Sequence, residues 1–329
     1  MMIEASAVQA NGRITPEDSG IWLDAHIETL RKHVQFAHSQ NQLIAIQLAH
    51  AGRKASTVAP WLSAGDTAQP VAHGWPDDVV GPSSEPFSDG YPTPRSMSLQ
   101  EIDQLKQDFV LATVRALEAG FDVIELHFAH GYLVSSFLSP AVNKRTDKYG
   151  GSFENRTRLA VELVRETRKV LPENTPLFVR ISATDWLEEN KEIGESWTCE
   201  DSVRLAEIFA KEGVDVLDVS SGGNHAAQKV QGGPGYQVKF AKAIKKAVGD
   251  KMLVSTVGSI KSGKQAEEIV TGENGPDLVA AGRMFQKNPG LVWAWAEEIG
   301  VDIHVAHQIG WGFGGRAAKK ADHAKMSVP

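Results

Sequence analysis

The sequence predicts one parallel α/β unit, and three observations carry that expectation. Compact apolar strands alternate with amphipathic helices along the chain without a break in composition. The side chains that bear chemistry stand where strands pass into loops, which is where parallel α/β proteins mount their sites. The length, 329 residues, suits a single α/β barrel, typically ~250 residues plus insertions. Seven strands can be counted. A closed barrel takes eight, and a doubly wound open sheet tolerates seven. No Gly-x-Gly-x-x-Gly follows the first strand to mark a dinucleotide fold.

Taken in order, Met1 to Val8 is the first strand, although Glu4 and Ser6 place polar groups along it. A turn through Gly12 and a loop through Pro16 lead to a helix from Asp24 to Ser39, with Ile27, Leu30, Val34 and Phe36 at helical spacing. Leu43 to Leu48 is a second strand, and Gln47 is expected at its end. Residues 55 to 97 lack any period and are rich in Pro, Gly, Ser and Asp, as lids and binding loops are. Trp61, Trp75 and Tyr91 either line a pocket mouth there or anchor a surface excursion. Ser98 and Glu101 form a capping box for a helix to Ala119, closed by Gly120.

Further strands follow at Val123 to His127, Leu177 to Ile181, Val216 to Ser220, Leu253 to Thr256 and Leu278 to Ala281. The helices between them begin at Ser152, Thr198, Gln237 and Ser262, and Asn288-Pro289 opens a final helix through Trp293 and Trp295. Beyond Trp311 the chain turns rich in Gly, Ala and Lys, as flexible tails are.

Composition narrows the function classes. A net charge of −7 leaves no electrostatic footprint for nucleic acid or an anionic membrane surface. Cys199 is the only cysteine, so an intramolecular disulfide framework and a cysteine-ligated iron–sulfur cluster are both excluded. No apolar run approaches the ~18 residues of a membrane span, and Met1-Met2-Ile3-Glu4 lacks the charged and apolar regions of a secretory leader. A cytoplasmic location is the default expectation.

The stretch from Val123 to Arg158 holds the richest chemistry. Its strand delivers His127, and the loop adds His130 and Tyr132. A His-x-x-His pair serves as metal ligands in some proteins, but the loop offers no third ligand at useful spacing. Structural histidines bonded to backbone carbonyls are another reading. The favoured one is a pair of neutral imidazoles donating to a single carbonyl oxygen, which draws electron density from a conjugated double bond. Tyr132 would then supply the proton.

The His127-x-x-His130 pair is followed by Arg145-Thr146-Asp147-Lys148-Tyr149-Gly150-Gly151-Ser152-Phe153-Glu154-Asn155-Arg156. Together they closely resemble the Old Yellow Enzyme family of FMN-dependent ene reductases, in the subgroup that carries His-x-x-His rather than His-x-x-Asn. The likeness extends from Met1 to about Trp311. It implies a (β/α)8 TIM barrel, here incomplete: the opening strand and helix and part of the second strand would precede Met1. Residues 1–315 would form the flavin-binding barrel and 316–329 a flexible tail.

FMN needs a phosphate clamp, and barrels build it in the loops after their last two strands. Those loops here are Val257-Gly258 and Gly282-Arg283. By resemblance, Gln47 and Arg180 contact the flavin pyrimidine and its N1/O2 side, and Ala5 lies against the ring. A salt bridge to Asp185 or Glu125 is the plainer expectation for Arg180. The resemblance also implies NAD(P)H as co-substrate, with an enone or related electrophile held by His127 and His130 and protonated by Tyr132.

Two positions depart from the family pattern. The Pro-containing segment that ends the family's first strand has no counterpart, and Ile309 stands where the subgroup has an arginine reaching into a neighbouring subunit's site. Any shared-site homo-oligomer would be built differently. A barrel that keeps these residues by descent, acting as a binding or assembly module, is the alternative from another class.

Overall fold

The computed structural model describes residues 1–63, 65–306 and 308–314. Seven parallel strands form one curled sheet in chain order. They are β1 (Met2–Ala7), β2 (Ala45–Ala49), β3 (Val123–Phe128), β4 (Leu177–Ser182), β5 (Val216–Ser220), β6 (Leu253–Val257) and β7 (Leu278–Ala280). Parallel neighbours cannot be joined by hairpins. The chain returns through α1 (Ala25–Ser39), α2 (Leu99–Ala119), α3 (Leu133–Leu138), α4 (Phe153–Val170), α5 (Cys199–Lys211), α6 (Val238–Val248) and α7 (Gly263–Thr271). After β7 come α8 (Arg283–Lys287), α9 (Leu291–Ile299) and α10 (Trp311–Gly314).

The caps expected from sequence form. Ser98 and Glu101 bond reciprocally at the start of α2, Thr198 and Asp201 do the same for α5, and Ser152 and Ser262 cap α4 and α7. Gly120 ends α2 at φ +100°, a conformation that suits glycine.

Strand periodicity divides the sheet into two unlike faces. Ile46, Leu48, Ile124, Leu126, Phe128, Val179, Ile181, Leu217, Val219 and Val254 point outward and join helix residues in the main apolar core. The alternate positions face the concave side; Val123, Phe178 and Val216 occupy it near the strand starts, and beyond them it is small or polar: Ala45, Gln47 and Ala49 on β2, Glu125 and His127 on β3, Arg180 and Ser182 on β4, Asp218 and Ser220 on β5. In-register pairing sets Gln47 beside Glu125, and runs His127, Arg180, Asp218 and Ser255 in one row across four strands.

The architecture is that of a (β/α) barrel with one side open. Among the described residues β1 and β7 each pair on a single side. Leu278 on the edge strand β7 is accordingly 42% exposed.

Several boundaries differ from the sequence expectation. Leu43 is solvent-exposed, so β2 starts at Ala45 and ends at Ala49, which puts Gln47 in mid-strand rather than at its end. β6 extends to Val257, making that residue part of the strand. Asn288-Pro289 does not open the last long helix. The Asn288 side chain accepts the Gly290 N–H in a tight turn, and α9 starts at Leu291. The short helices α3 and α8 interrupt segments expected as loop. Within residues 55 to 97, Val80–Gly81 pairs with Arg95–Ser96. Trp61 points to solvent, whereas Trp75 stacks on Arg13, donates its Nε1–H to the Asn11 carbonyl and packs against the same small apolar cluster as Tyr132. The expected tail, 316–329, lies outside the described residues.

Candidate functional site

β3 brings His127 to the concave face next to its last residue. His130 then takes φ +62° and Gly131 φ +72°, a left-handed pair that swings the chain back towards the sheet. A Cβ on Gly131 would lie 2.0 Å from the Gly223 carbonyl oxygen, so the loops after β3 and β5 touch backbone to backbone. Tyr132 precedes α3, whose own core residues Leu133, Val134, Phe137 and Leu138 fix it in place.

The three expected catalytic residues meet in one corner. The rings of His127 and His130 are 5.1 Å apart at 90°, and Tyr132 is 5.2 Å from His127 and 6.4 Å from His130. Burial, the neighbouring His130 and Arg180 push the His127 pKa well below its usual value. Burial, Arg180 and Lys54 bring His130 to about 3. Burial raises Tyr132 to about 12, helped by Asp18 and Tyr91. At neutral pH, therefore, both imidazoles are uncharged and the phenol keeps its proton.

Next to this corner lies a buried polar patch. Gln47 Nε2 donates to Glu125 Oε1 at 2.5 Å, and Arg180 Nε is 3.0 Å from Asp218 Oδ2. Arg180 is thus paired with Asp218, not with Asp185 or Glu125. Asp185 is instead consumed by Ser139, Asn224 and the Trp197 N–H, below the loops. Burial first, then Asp218, lifts Glu125 to about 7. The pairing leaves Asp218 Oδ1 buried without any hydrogen bond, and the Arg180 Nε contact is poorly directed. Ala5 shares a cavity of about 10 Å3 with Ala49 and Tyr132, so the first strand reaches the same corner.

The last two strands end in the expected glycines. At Gly258, φ is +120° and a Cβ would approach the Gln237 amide nitrogen to 2.8 Å, so protein neighbours alone demand glycine. Gly282 is different. Its backbone is ordinary for any residue, and a Cβ there would meet no atom within 4 Å. Neither strain nor packing requires a glycine at that point. The N–H groups of Gly258, Gly282 and Arg283 donate to no carbonyl among the described residues, and the exposed Arg283 guanidinium forms no ion pair among them. Open donors, an uncommitted cation and free space above a glycine are what a phosphate needs.

Arg283 and Gln47 sit at opposite ends of the sheet and make no direct contact. The concave-face residues between them run from Gln47 on β2 to Ser255 on β6, one strand short of β7. Among the described residues no group of three or more His, Cys, Asp or Glu is placed to hold a metal, and none of the helices is long and apolar enough to cross a membrane.

Sequence reasoning missed Asp218, Ser220 and Lys54, and gave Glu125 a different partner. Glu125 and Asp218 are ionisable residues at inward positions of apolar strands, a period-two irregularity that was visible. Ser220 looked like a strand terminus. Lys54, in the run after β2, donates to the carbonyls of His130 and Gly223 and lies 4.0 Å over the Phe87 ring and 5.7 Å from the Tyr132 ring centre.

The fold and site together are an open (β/α) barrel with paired imidazoles at one strand tip and uncommitted backbone donors at its last two strands. The chain belongs to the NADH:flavin oxidoreductase / NADH oxidase family, whose model matches residues 1–300. FMN is the cofactor of that family, and the open donors after β6 and β7 fit its phosphate. The chain is 53% identical over 331 residues to an NADH:flavin oxidoreductase of Gibberella zeae, covering 98% of this chain and 79% of the relative. It is 42% identical over 308 residues to an NADPH dehydrogenase of Bacillus cytotoxicus, covering 94% and 80%. Histamine dehydrogenase from Rhizobium sp. 4-9 superposes with a TM-score of 0.72 at 26% identity, over 91% of this chain and 41% of that one. The chain thus spans less than half the length of that solved protein.

Proposed function

We propose that this protein reduces the activated C=C bond of α,β-unsaturated carbonyl compounds, with a nicotinamide cofactor as the source of electrons. The observation that carries this reading is the corner formed by His127, His130 and Tyr132. Two uncharged imidazoles at right angles present separate N–H donors, which suits a carbonyl oxygen that gains negative charge. Tyr132, held protonated, is the acid for the carbon next to the carbonyl. Arg180 and Gln47 would hold the edge of the flavin, with Gly258, Gly282 and Arg283 on its phosphate. FMN, when bound, supplies two-electron transfer between the nicotinamide and the double bond. An enone or a related electrophile is the substrate class, and the likeness to proteins named NADPH dehydrogenase supports NADPH or NADH as the co-substrate.

The test is the double variant His127→Ala/His130→Ala in FMN-loaded protein. The long-wavelength charge-transfer band of a bound phenol should vanish, and turnover of 2-cyclohexenone with it, while FMN stays bound. Loss of FMN instead would make the pair flavin-holding residues. A second reading, a binding or assembly module that keeps the site residues without turnover, draws on the edges of β1 and β7, which are unpaired among the described residues. Purified protein that is colourless and cannot be reconstituted with FMN would favour it.

A further inference from the structure

The two histidines differ in how their second ring nitrogen is used. His127 Nδ1 accepts the Ala129 N–H at 3.2 Å, so its own proton must sit on Nε2. In His130 the occupied atom is the other one: Nε2 is 2.7 Å from Ser220 Oγ. Neither His127 Nε2 nor His130 Nδ1 has a hydrogen-bond partner among the described residues.

Which of His130 Nε2 and Ser220 Oγ carries the proton between them follows from the groups behind the serine. Gln237 Nε2 donates to the Val257 carbonyl at 2.7 Å, which turns Gln237 Oε1 towards the two serines after β5. Trp186 Nε1 donates to Ser221 Oγ at 2.9 Å, and Ser221 passes its single proton to Gln237 Oε1 at 2.5 Å. Ser220 Oγ is 3.3 Å from the same oxygen, beyond a good O–H···O contact, and that oxygen already holds a closer donor. The shorter contact of Ser220 is the one to His130.

We propose that Ser220, oriented by the Trp186–Ser221–Gln237 chain, is a positioning residue that donates its hydroxyl proton to His130 Nε2 and so fixes His130 with its proton on Nδ1. His127 and His130 therefore hold opposite tautomers, and each keeps one N–H uncommitted to protein. Paired donors require this arrangement, because the other tautomer of His130 would spend its only N–H on Ser220 and turn a bare nitrogen lone pair on an electron-rich oxygen. The assignment of a role to those N–H groups rests on the reading proposed above, whereas the tautomers do not.

The decisive measurement is 15N-detected histidine NMR on the FMN-loaded protein, which separates protonated from bare ring nitrogens. The expected spectrum has His127 protonated on Nε2 and His130 on Nδ1. His130 protonated on Nε2 in the wild type overturns the proposal, whatever the substrate proves to be. Ser220→Ala should turn His130 into a tautomer mixture and weaken phenol binding about 10-fold with unchanged FMN content. Ser220→Thr, which keeps the hydroxyl, should restore both. Phenol binding at wild-type strength in Ser220→Ala, or no rescue by threonine in a folded, FMN-loaded protein, would also overturn it. If wild-type protein binds no phenol at all, the proposed substrate class fails, and the NMR result still decides the tautomers.

Discussion

Gly282→Ala separates what the protein needs from what the cofactor needs. The added methyl meets no protein atom within 4 Å, and the backbone at φ −101°, ψ −75° accepts any side chain. Restricting the unfolded chain stabilises by ~0.4–1 kcal/mol. Alanine is a poorer helix cap than glycine by roughly 0.5–1 kcal/mol at α8, which offsets most of that. The net effect on FMN-free protein is within about 0.5 kcal/mol. With an unfolding entropy of ~2.1 cal/mol/K per residue over 329 residues, the Tm moves by less than about 1 °C. The cofactor responds differently. If the phosphate occupies the space over Gly282, the methyl displaces it and breaks one charge-assisted hydrogen bond, ~1.5–3 kcal/mol. That corresponds to about a 10- to 150-fold rise in Kd. Titration of FMN into apoprotein, followed by fluorescence quenching, reads the affinity, and calorimetry reads the Tm. An unchanged FMN Kd would refute the placement of the phosphate. A Tm lower by several degrees without FMN would show that the methyl meets protein after all.

Gly131→Ala should behave in the opposite way. Its Cβ would come within 2.0, 2.5 and 2.8 Å of backbone atoms at Gly223 and Asn224, at a positive φ, so urea unfolding should show a loss of roughly 3–5 kcal/mol; a loss under about 1 kcal/mol would mean the two loops part easily. Glu125→Gln tests the buried carboxyl. Its folded pKa of about 7 lies above the ordinary 4.5, so folding favours the protonated form. That contribution is complete below about pH 4.5 and is lost as the pH rises through 7, a span worth up to about 3 kcal/mol. Wild type should therefore lose stability relative to Glu125→Gln between pH 5 and pH 8, and a pH-independent difference would contradict the assignment. Lys54→Met strips two backbone carbonyls, those of His130 and Gly223, of their donor, so unfolding in urea should come about 2 kcal/mol earlier. Retention of full stability would show that water replaces the ammonium.

The fold was legible because its determinants are local. Ser98, Ser152, Thr198 and Ser262 announce helix starts through side-chain caps that act within three residues. The strands announced themselves as apolar runs, and the chemistry at His127, His130 and Tyr132 as three such groups within six residues of one strand tip. What stayed hidden depends on neighbours far away in sequence. Asp218 as the partner of Arg180 is set by the register of β4 against β5, which no local pattern encodes. Lys54 clamps the carbonyls of His130 and Gly223 from a third loop, and Gln237 acts on His130 only through Ser220. The start of β2 was misplaced for a related reason: Leu43 has the right composition for a strand but is solvent-exposed.

The concave face is poorly explained by folding alone. A closed barrel fills its interior with bulky branched side chains, whereas here Ala5, Ala45 and Ala49 leave it shallow and Gln47, Glu125, Arg180 and Asp218 make it polar. Glu125 is 2% exposed and its neighbour Asp218 is also buried, so two carboxyl groups lie close together in a poorly solvated setting, with Arg180 paired to Asp218 alone. Leaving Asp218 Oδ1 without a partner costs ~1–3 kcal/mol. Filling the same positions with leucine or valine would be more stable in the absence of a ligand. A face that is carved, charged and incompletely bonded gains its reason from a flat group with donors and acceptors along one edge, which covers the alanines and supplies the missing partners. On this argument FMN belongs to the folded state itself. The protein should unfold at a higher temperature with FMN than without, with the increment growing with the logarithm of free FMN concentration above its Kd. A Tm indifferent to FMN would leave the cost of that face unexplained.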